Sequence, residues 1–200
     1  MLQVPEILKS VIKNVVWRIN PAKKVIYLTF DDGPNSRVTP LVLDILDRFE
    51  VKATFFCVGE NVSRFPDVFD EVKRRGHTVG NHTFNHLKGF EYSTDDYVRN
   101  VKKASEFIDS RLFRPPHGQI KPSQIKALKD DYLIIMWDFI TYDYDKRIEP
   151  EKIIAEVKKR SRNGSIVVFH DSLKAEKNVL QVLPEALRFW KENGYKVCHI

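Results

Sequence analysis

Short apolar runs rich in β-forming residues alternate with helical patterns along almost the whole chain, and this alternation limits the fold more than any other feature. Strands are expected at 24–31, 53–58, 77–80, 132–139, 165–170 and 195–200. Helices are expected at 41–49, 62–75 and 94–110, from Pro150 to a stop at Asn163-Gly164, and at 184–192. Thr39 and Pro40 offer an N-cap and a first-turn proline for the first helix, and Gly76 ends the second. Asp95 and Asp96 lie at the favourable end of the third helix dipole. Six or seven βα steps, without repeat or linker, imply an α/β fold. The expectation is a distorted, incomplete (β/α) barrel of about seven parallel strands, in a single domain over 21–200. With 200 residues the chain is short of the roughly 250 of a complete eight-fold barrel.

A parallel barrel gathers its site at the C-terminal ends of its strands. Asp31, Asp32, His82, Arg114, Asp138 and His170 all fall at or just past expected strand ends. In Thr29-Phe-Asp-Asp-Gly-Pro34 two carboxylates are adjacent, a costly arrangement that a bound cation relieves. Successive strand side chains point to opposite faces, so one carboxylate can serve a metal and the other a proton. The plain alternative is an ordinary acidic turn. In His82-Thr-Phe-Asn-His86 two histidines four apart can reach one cation from a helical turn or a compact loop. Two imidazoles and one carboxylate with an open position describe a catalytic zinc-type centre.

Composition narrows the remaining classes. The chain has 42% hydrophobic and 30% charged residues, as a globular protein does. Its net charge of +6, from 33 Lys and Arg against 27 Asp and Glu, is spread along the sequence. That excess favours anionic partners such as an acidic glycan, and no nucleic-acid-binding fingerprint is present. Cys57 and Cys198 are too few for a disulfide framework, and Cys57 reads as an inert core thiol. No stretch approaches the roughly 20 apolar residues of a membrane span, and residues 1–20 do not resemble a signal peptide. Their apolar residues recur at helical spacing, which predicts an N-terminal amphipathic helical segment packed on the barrel. Weak contact with a membrane surface is its alternative use. As written the chain reads as cytoplasmic, with export of a longer or differently processed form left open.

The motifs Thr29-Phe-Asp-Asp-Gly-Pro34, His82-xxx-His86, Arg114-Pro-Pro-His-Gly118 and Val168-Phe-His170 stand in the order and approximate spacing of the polysaccharide deacetylases. The chain resembles this NodB-homology group, carbohydrate esterase family 4, from about Lys24 to Asp171. The resemblance implies Asp32, His82 and His86 as metal ligands and Asp31 as the general base. It implies Arg114 as the group that holds Asp31 ionised and His170 as the acid that protonates the leaving amine. The backbone N–H of His117 would stabilise the oxyanion, and Tyr144 and Val168 would line an acetyl pocket. The cofactor implied is a divalent metal, zinc by default, with cobalt or nickel as alternatives.

The sequence departs from the family at two places. His117 stands where the family usually has a tyrosine, which leaves the backbone N–H in place. Ile140 stands where the family has an aspartate hydrogen-bonded to the acid histidine. Asp143 and Tyr144 match the second aspartate of that motif and the tryptophan after it. Asp138, two residues before Ile140, is expected to orient His170 instead. The function implied is removal of N-acetyl groups from a glycan such as an N-acetylglucosamine polymer or peptidoglycan. An O-acetyl ester, a formamide or a cyclic imide is an alternative substrate for the same scaffold. A non-catalytic sugar- or metal-binding relative is the alternative from another class. Phe84, Phe90, Tyr92 and Tyr142 are candidates for contact with a glycan chain.

Overall fold

The structure is a computed structural model that describes Lys9 and residues 12–200. Its centre is β1 (Val25–Asp31), a strand apolar enough to be covered on both faces. Around it lie β2 (Thr54–Cys57), β3 (Thr78–Asn81), β4 (Leu112–Phe113), β5 (Leu133–Ile134), β6 (Phe139–Ile140), β7 (Ser165–His170) and β8 (Lys196–Cys198). All pairings between these strands are parallel, in the order β5-β4-β3-β2-β1-β7-β6, with β8 pairing β1 off that path. β7 follows one edge of β1 from Ile26 to Asp31. On the other edge β8 takes Val25 to Tyr27 and β2 takes Thr29 to Asp31, so β8 wedges between two strands that splay at their base.

The helices are α1 (Val38–Arg48), α2 (Gly59–Arg64), α3 (Pro66–Arg74), α4 (Thr94–Ser105), α5 (Pro122–Leu128), α6 (Pro150–Arg160) and α7 (Glu176–Glu192). In α1 the buried residues Val38, Val42, Leu43, Ile45 and Leu46 follow the spacing of one helical face. They meet the outward face of the sheet, where Phe30 stacks on Phe55 at 4.8 Å between ring centroids. Asn35 Oδ1 accepts from the N–H groups of Arg37 and Val38, so the cap comes from Asn35 and not from Thr39. The expected helix over 62–75 is two helices, because Pro66 lacks an N–H and begins a new one. β4 and α5, which sequence patterning does not single out, complete the curled sheet.

The strand expected over 132–139 is also two elements. β5 and β6 are consecutive in the chain yet form opposite edges of the sheet. Residues 135–138 therefore cross the gap of the incomplete barrel. Residues 16–19 help to close that gap. The Val16 N–H donates to Ile134 O at 2.8 Å, Met136 donates back to Val16 O at 2.8 Å, and Ile19 donates to Gly164 O at 3.0 Å. Of the amphipathic helix expected over 1–20, residues 1–8, 10 and 11 lie outside the described residues. Residues 12–20 correct the expectation: they form no helix and instead run as an irregular strap with two isolated bridges, Val16 to Ile135 and Arg18 to Ser165. Their backbone groups are satisfied by the open barrel edges, which outweighs a helical apolar periodicity.

Asp138 belongs to this seam and not to the site, which corrects its expected role. Its fully buried carboxylate accepts from Lys9 Nζ at 2.5 Å, from Arg162 Nε at 2.7 Å and from Ser165 Oγ at 2.8 Å. Burial opposes the charge, but Arg162, Lys9 and Ser165 outweigh it and hold the pKa at about 2. Cys57 is the buried free thiol expected, with burial raising its pKa. Among the described residues no helix is long and apolar enough to cross a membrane.

Replacing Asp138 with Asn would leave the cationic side chains of Lys9, Arg18 and Arg162 against a neutral amide. The cost expected is about 3 kcal/mol, read as a lower urea midpoint at unchanged slope. A midpoint within error of the parent would show that the seam does not depend on this carboxylate.

Candidate active site

Strands β1, β3, β4 and β7 each deliver a polar group at or just past the C-terminal end. Asp31 ends β1 and is paired in register with His170, the last residue of β7. Asp32 follows with φ of 78°, a left-handed turn that points its carboxylate along the rim. The turn is held by Asn61 Nδ2, which donates to Asp32 O at 2.8 Å, and by the Val58 N–H, which donates to Gly33 O at 2.9 Å. Beneath it lies the buried carboxylate of Asp171, to which Thr39 donates at 2.5 Å. A Cβ at Gly33 would stand 2.1 Å from Asp171 Oδ2, so this position admits no side chain.

His82 follows β3, and the chain to His86 is a compact loop, not a helical turn. Asn100 Oδ1 accepts from the N–H groups of Phe84 and Asn85, and Asn81 Oδ1 accepts from the N–H of Thr83, so α4 and β3 clamp the loop. The ligand atoms of Asp32, His82 and His86 lie within 4.8 Å of one another. Asp32 Oδ1 is 3.1 Å from His86 Nε2 and 3.7 Å from His82 Nε2. His82 Nδ1 donates to the Arg114 carbonyl at 2.8 Å, which leaves Nε2 bare and facing Asp32. Burial lowers the His82 pKa to about 4, so the ring is neutral at pH 7, as a metal ligand must be. For Asp32, burial is outweighed by the His86 hydrogen bond and by the charges of His170 and His82. Its carboxyl is held well below the usual carboxylate range. This donor set fits a divalent cation.

Arg114 follows β4 and is fully buried. Its NH1 donates to Asp31 Oδ1 at 2.6 Å and to Thr29 Oγ1 at 2.7 Å. Nε and NH2 donate to the carbonyls of Ile135 and Met136, and the guanidinium stacks 4.0 Å from the Phe56 ring centroid. Asp31 is thereby fixed at one side of the carboxylate–histidine cluster.

His170, at the end of the neighbouring strand β7, is fixed by Asp143, in the loop after β6. The two carboxylate oxygens of Asp143 accept from His170 Nδ1 at 2.7 Å and from the His170 backbone N–H at 2.8 Å. Asn178 of α7 donates to the carbonyls of Asp143, Asp145 and Ile148, which pins that loop. Burial alone would lower the His170 pKa, but Asp143, and after it Asp32 and Asp31, raise it to about 9. The imidazolium is therefore the dominant form at neutral pH. Asp143, not Asp138, is the partner of His170. The sequence signal for it was the match of Asp143 to the second aspartate of the family motif.

These residues surround a cleft of about 430 Å³, lined also by His117, Trp137, Ile140, Tyr142, Tyr144 and Lys174. His117 has φ of 56° in a tight turn, its ring is 4.8 Å from that of His86, and its N–H makes no hydrogen bond among the described residues. Tyr144 stands edge-on to His170 at 4.8 Å and to one side of Tyr142. Val168 does not line the cleft: it is fully buried in β7, one pleat repeat below His170. The apolar side chain on the cleft wall is Ile140, paired with Val168 in register. Phe84 packs on Phe107 at 5.6 Å, while Phe90 and Tyr92 are exposed.

Replacing Asp143 with Asn removes the nearest anion but leaves the burial, so the His170 pKa should fall from about 9 toward or below its ordinary 6.5. Histidine-selective NMR titration measures this directly. Because the folded-state pKa is raised, the pair stabilises the protein fully below pH ~6.5 and loses that contribution as pH rises through ~9. The variant should therefore be more destabilised at pH 6 than at pH 10. An unchanged titration would remove Asp143 from this role.

Comparison with known proteins agrees with this geometry. A family model described as polysaccharide deacetylase matches residues 18–133. The chain is 33% identical over 192 residues to a peptidoglycan-N-acetylglucosamine deacetylase of Bacillus cereus, covering 91% of this chain and 89% of that protein. It is similar to the crystal structure of a peptidoglycan N-acetylglucosamine deacetylase in complex with a naphthyl-substituted N-hydroxybenzamide, with a TM-score of 0.88 at 29% identity, covering 92% of this chain and 89% of that one. It is also similar to a wild-type pseudoenzyme of carbohydrate esterase family 4 from Bacillus anthracis, with a TM-score of 0.81 at 29% identity, covering 92% of this chain and 66% of that one. With Asp31, Asp32, His82, His86, Arg114 and His170 gathered around one cleft, this chain belongs to the polysaccharide deacetylase family.

Proposed function

We propose that the chain hydrolyses the N-acetyl group of N-acetylglucosamine units in a peptidoglycan-type glycan, with a divalent cation, zinc by preference, held by Asp32, His82 and His86. The observation that carries this reading is the placement of two differently partnered proton-transfer groups, Asp31 and His170, on neighbouring strand ends beside that triad. Asp31 is held by a buried guanidinium, and His170 is held protonated by Asp143. The similarity to peptidoglycan-N-acetylglucosamine deacetylases supports the choice of substrate. The pseudoenzyme relative makes a catalytic test necessary.

A cation bound by the triad would polarise the acetyl carbonyl and lower the pKa of water. Asp31 takes the proton from the attacking water, and Arg114 keeps its carboxylate placed until then. The His117 N–H, without a hydrogen-bond partner among the described residues, donates to the oxygen that gains charge as the carbonyl carbon becomes tetrahedral. His170 gives its proton to the departing amine nitrogen, so that the carbon–nitrogen bond breaks to acetic acid and an amino sugar. Tyr144, whose phenol burial holds protonated with a pKa of about 12, and Ile140 enclose the acetyl methyl. His170, held protonated by Asp143, starts with the proton that the departing amine needs.

The test is acetate release from N-acetylglucosamine oligomers and peptidoglycan fragments by metal-free and zinc-loaded protein, beside Asp31→Asn. Release should require metal and fall by about 10²- to 10⁴-fold in Asp31→Asn, the range of one general base. Metal bound without acetate release would transfer the chain to the non-catalytic reading or to an ester, formyl or imide substrate.

A further inference from the structure

We propose that Lys174 is a specificity residue that selects a glycan carrying a carboxylate beside the reacting acetamido sugar. This rests on the deacetylase reading and names the substrate class more narrowly. Lys174 lies in the turn between β7 and α7, four positions after His170, and lines the same cleft. It is the one Lys or Arg among the described lining residues.

The other charged groups of the cleft have partners other than Lys174. Asp31 is paired with Arg114 and His170 with Asp143, while Asp32 faces two imidazoles. On the outer surface Arg37 binds Glu176 at 2.7 Å, Lys177 binds Glu149 at 3.3 Å and Arg147 binds Asp145 at 2.7 Å. Lys174 makes no hydrogen bond and no ion pair among the described residues. The remaining cleft wall, formed by Trp137, Ile140, Tyr142 and Tyr144, carries no charge. An unmatched ammonium beside uncharged walls attracts an anion more strongly than the same group on open surface. The anion must come from the ligand. Because His170 faces the amine nitrogen, a carboxylate that reaches Lys174 belongs to a substituent of the reacting sugar or to the adjoining unit. A free lactyl ether carboxylate and the terminal carboxylate of an attached peptide share this chemistry.

The test uses zinc-loaded Asp31→Asn protein and calorimetric binding of three glycans of equal length. One is a neutral N-acetylglucosamine oligomer, one carries free lactyl carboxylates, and one has those carboxylates amide-linked to a peptide that ends in an acid. An acidic glycan should bind about fivefold more tightly than the neutral one in low salt, the scale of one exposed charge pair. The preference should shrink in high salt, disappear in Lys174→Gln and persist in Lys174→Arg. Whichever acidic glycan shows it identifies the source of the carboxylate. Equal affinities, or a preference that survives Lys174→Gln, would overturn the proposal. Acetate assays on protein with Asp31 intact separate the two readings. Acetate release without an acid preference removes only the role of Lys174. A Lys174-dependent preference without acetate release removes only the deacetylase reading.

Discussion

The buried guanidinium of Arg114 is the interaction on which the rest of this structure depends. A charge taken fully out of water is tolerable only when its donors are satisfied and a counter-ion lies against it. Asp31 supplies the counter-ion, Thr29 and the carbonyls of Ile135 and Met136 supply acceptors, and Phe56 supplies a π face. One side chain thus ties together the end of β1, the end of β4 and the segment that crosses the barrel gap. The carbonyl of the same residue sets the tautomer of His82. The reactive carboxylate, a metal ligand and the closure of the fold therefore share one anchor.

The neighbouring strand end is built around a second charge pair with a different purpose. Asp143 engages the backbone N–H and the ring of His170 together, which fixes both the strand end and the imidazole orientation. Burial and the carboxylate act in opposite directions on His170, and the carboxylate wins because it lies within direct hydrogen-bonding distance. His82, equally buried, lacks such a carboxylate on its Nδ1 and is left neutral. Two histidines of one cleft are thus set to opposite protonation states by what accepts from Nδ1, a carboxylate in one case and a carbonyl in the other.

Much of the site was legible in the sequence because strand ends and short motifs are local. The pairing of Asp31 with Asp32, the spacing of His82 and His86, and the positions of Arg114 and His170 each need only a few consecutive residues to be recognised. The partner of His170 was not legible in the same way. Asp138 and Asp143 are both aspartates close to β6, and choosing between them needs the path of the chain from β5 to β6. That path crosses the barrel gap and turns Asp138 toward Lys9 and Arg162, at the seam. Val168 and Ile140 differ in the same respect: both are apolar and they are register partners, and only their places in the curled sheet, Val168 inside β7 and Ile140 at the end of the edge strand β6, decide which one reaches the cleft wall.

The sequence by itself determined the α/β class, the order of the main strands and the residue types of the reactive groups. Apolar periodicity and short polar motifs record these within one element at a time. Tertiary structure alone decided that the run over 132–139 splits between opposite edges of the sheet, and that residues 12–20 form a strap and not a helix. It also decided that Asp143 holds His170 while Asp138 holds the seam. Those outcomes depend on which backbone groups and buried charges find partners from distant parts of the chain, and burial makes an unpaired group too costly to leave. Local pattern carries no information about such partners, so they emerge only when the sheet curls and brings its two edges together.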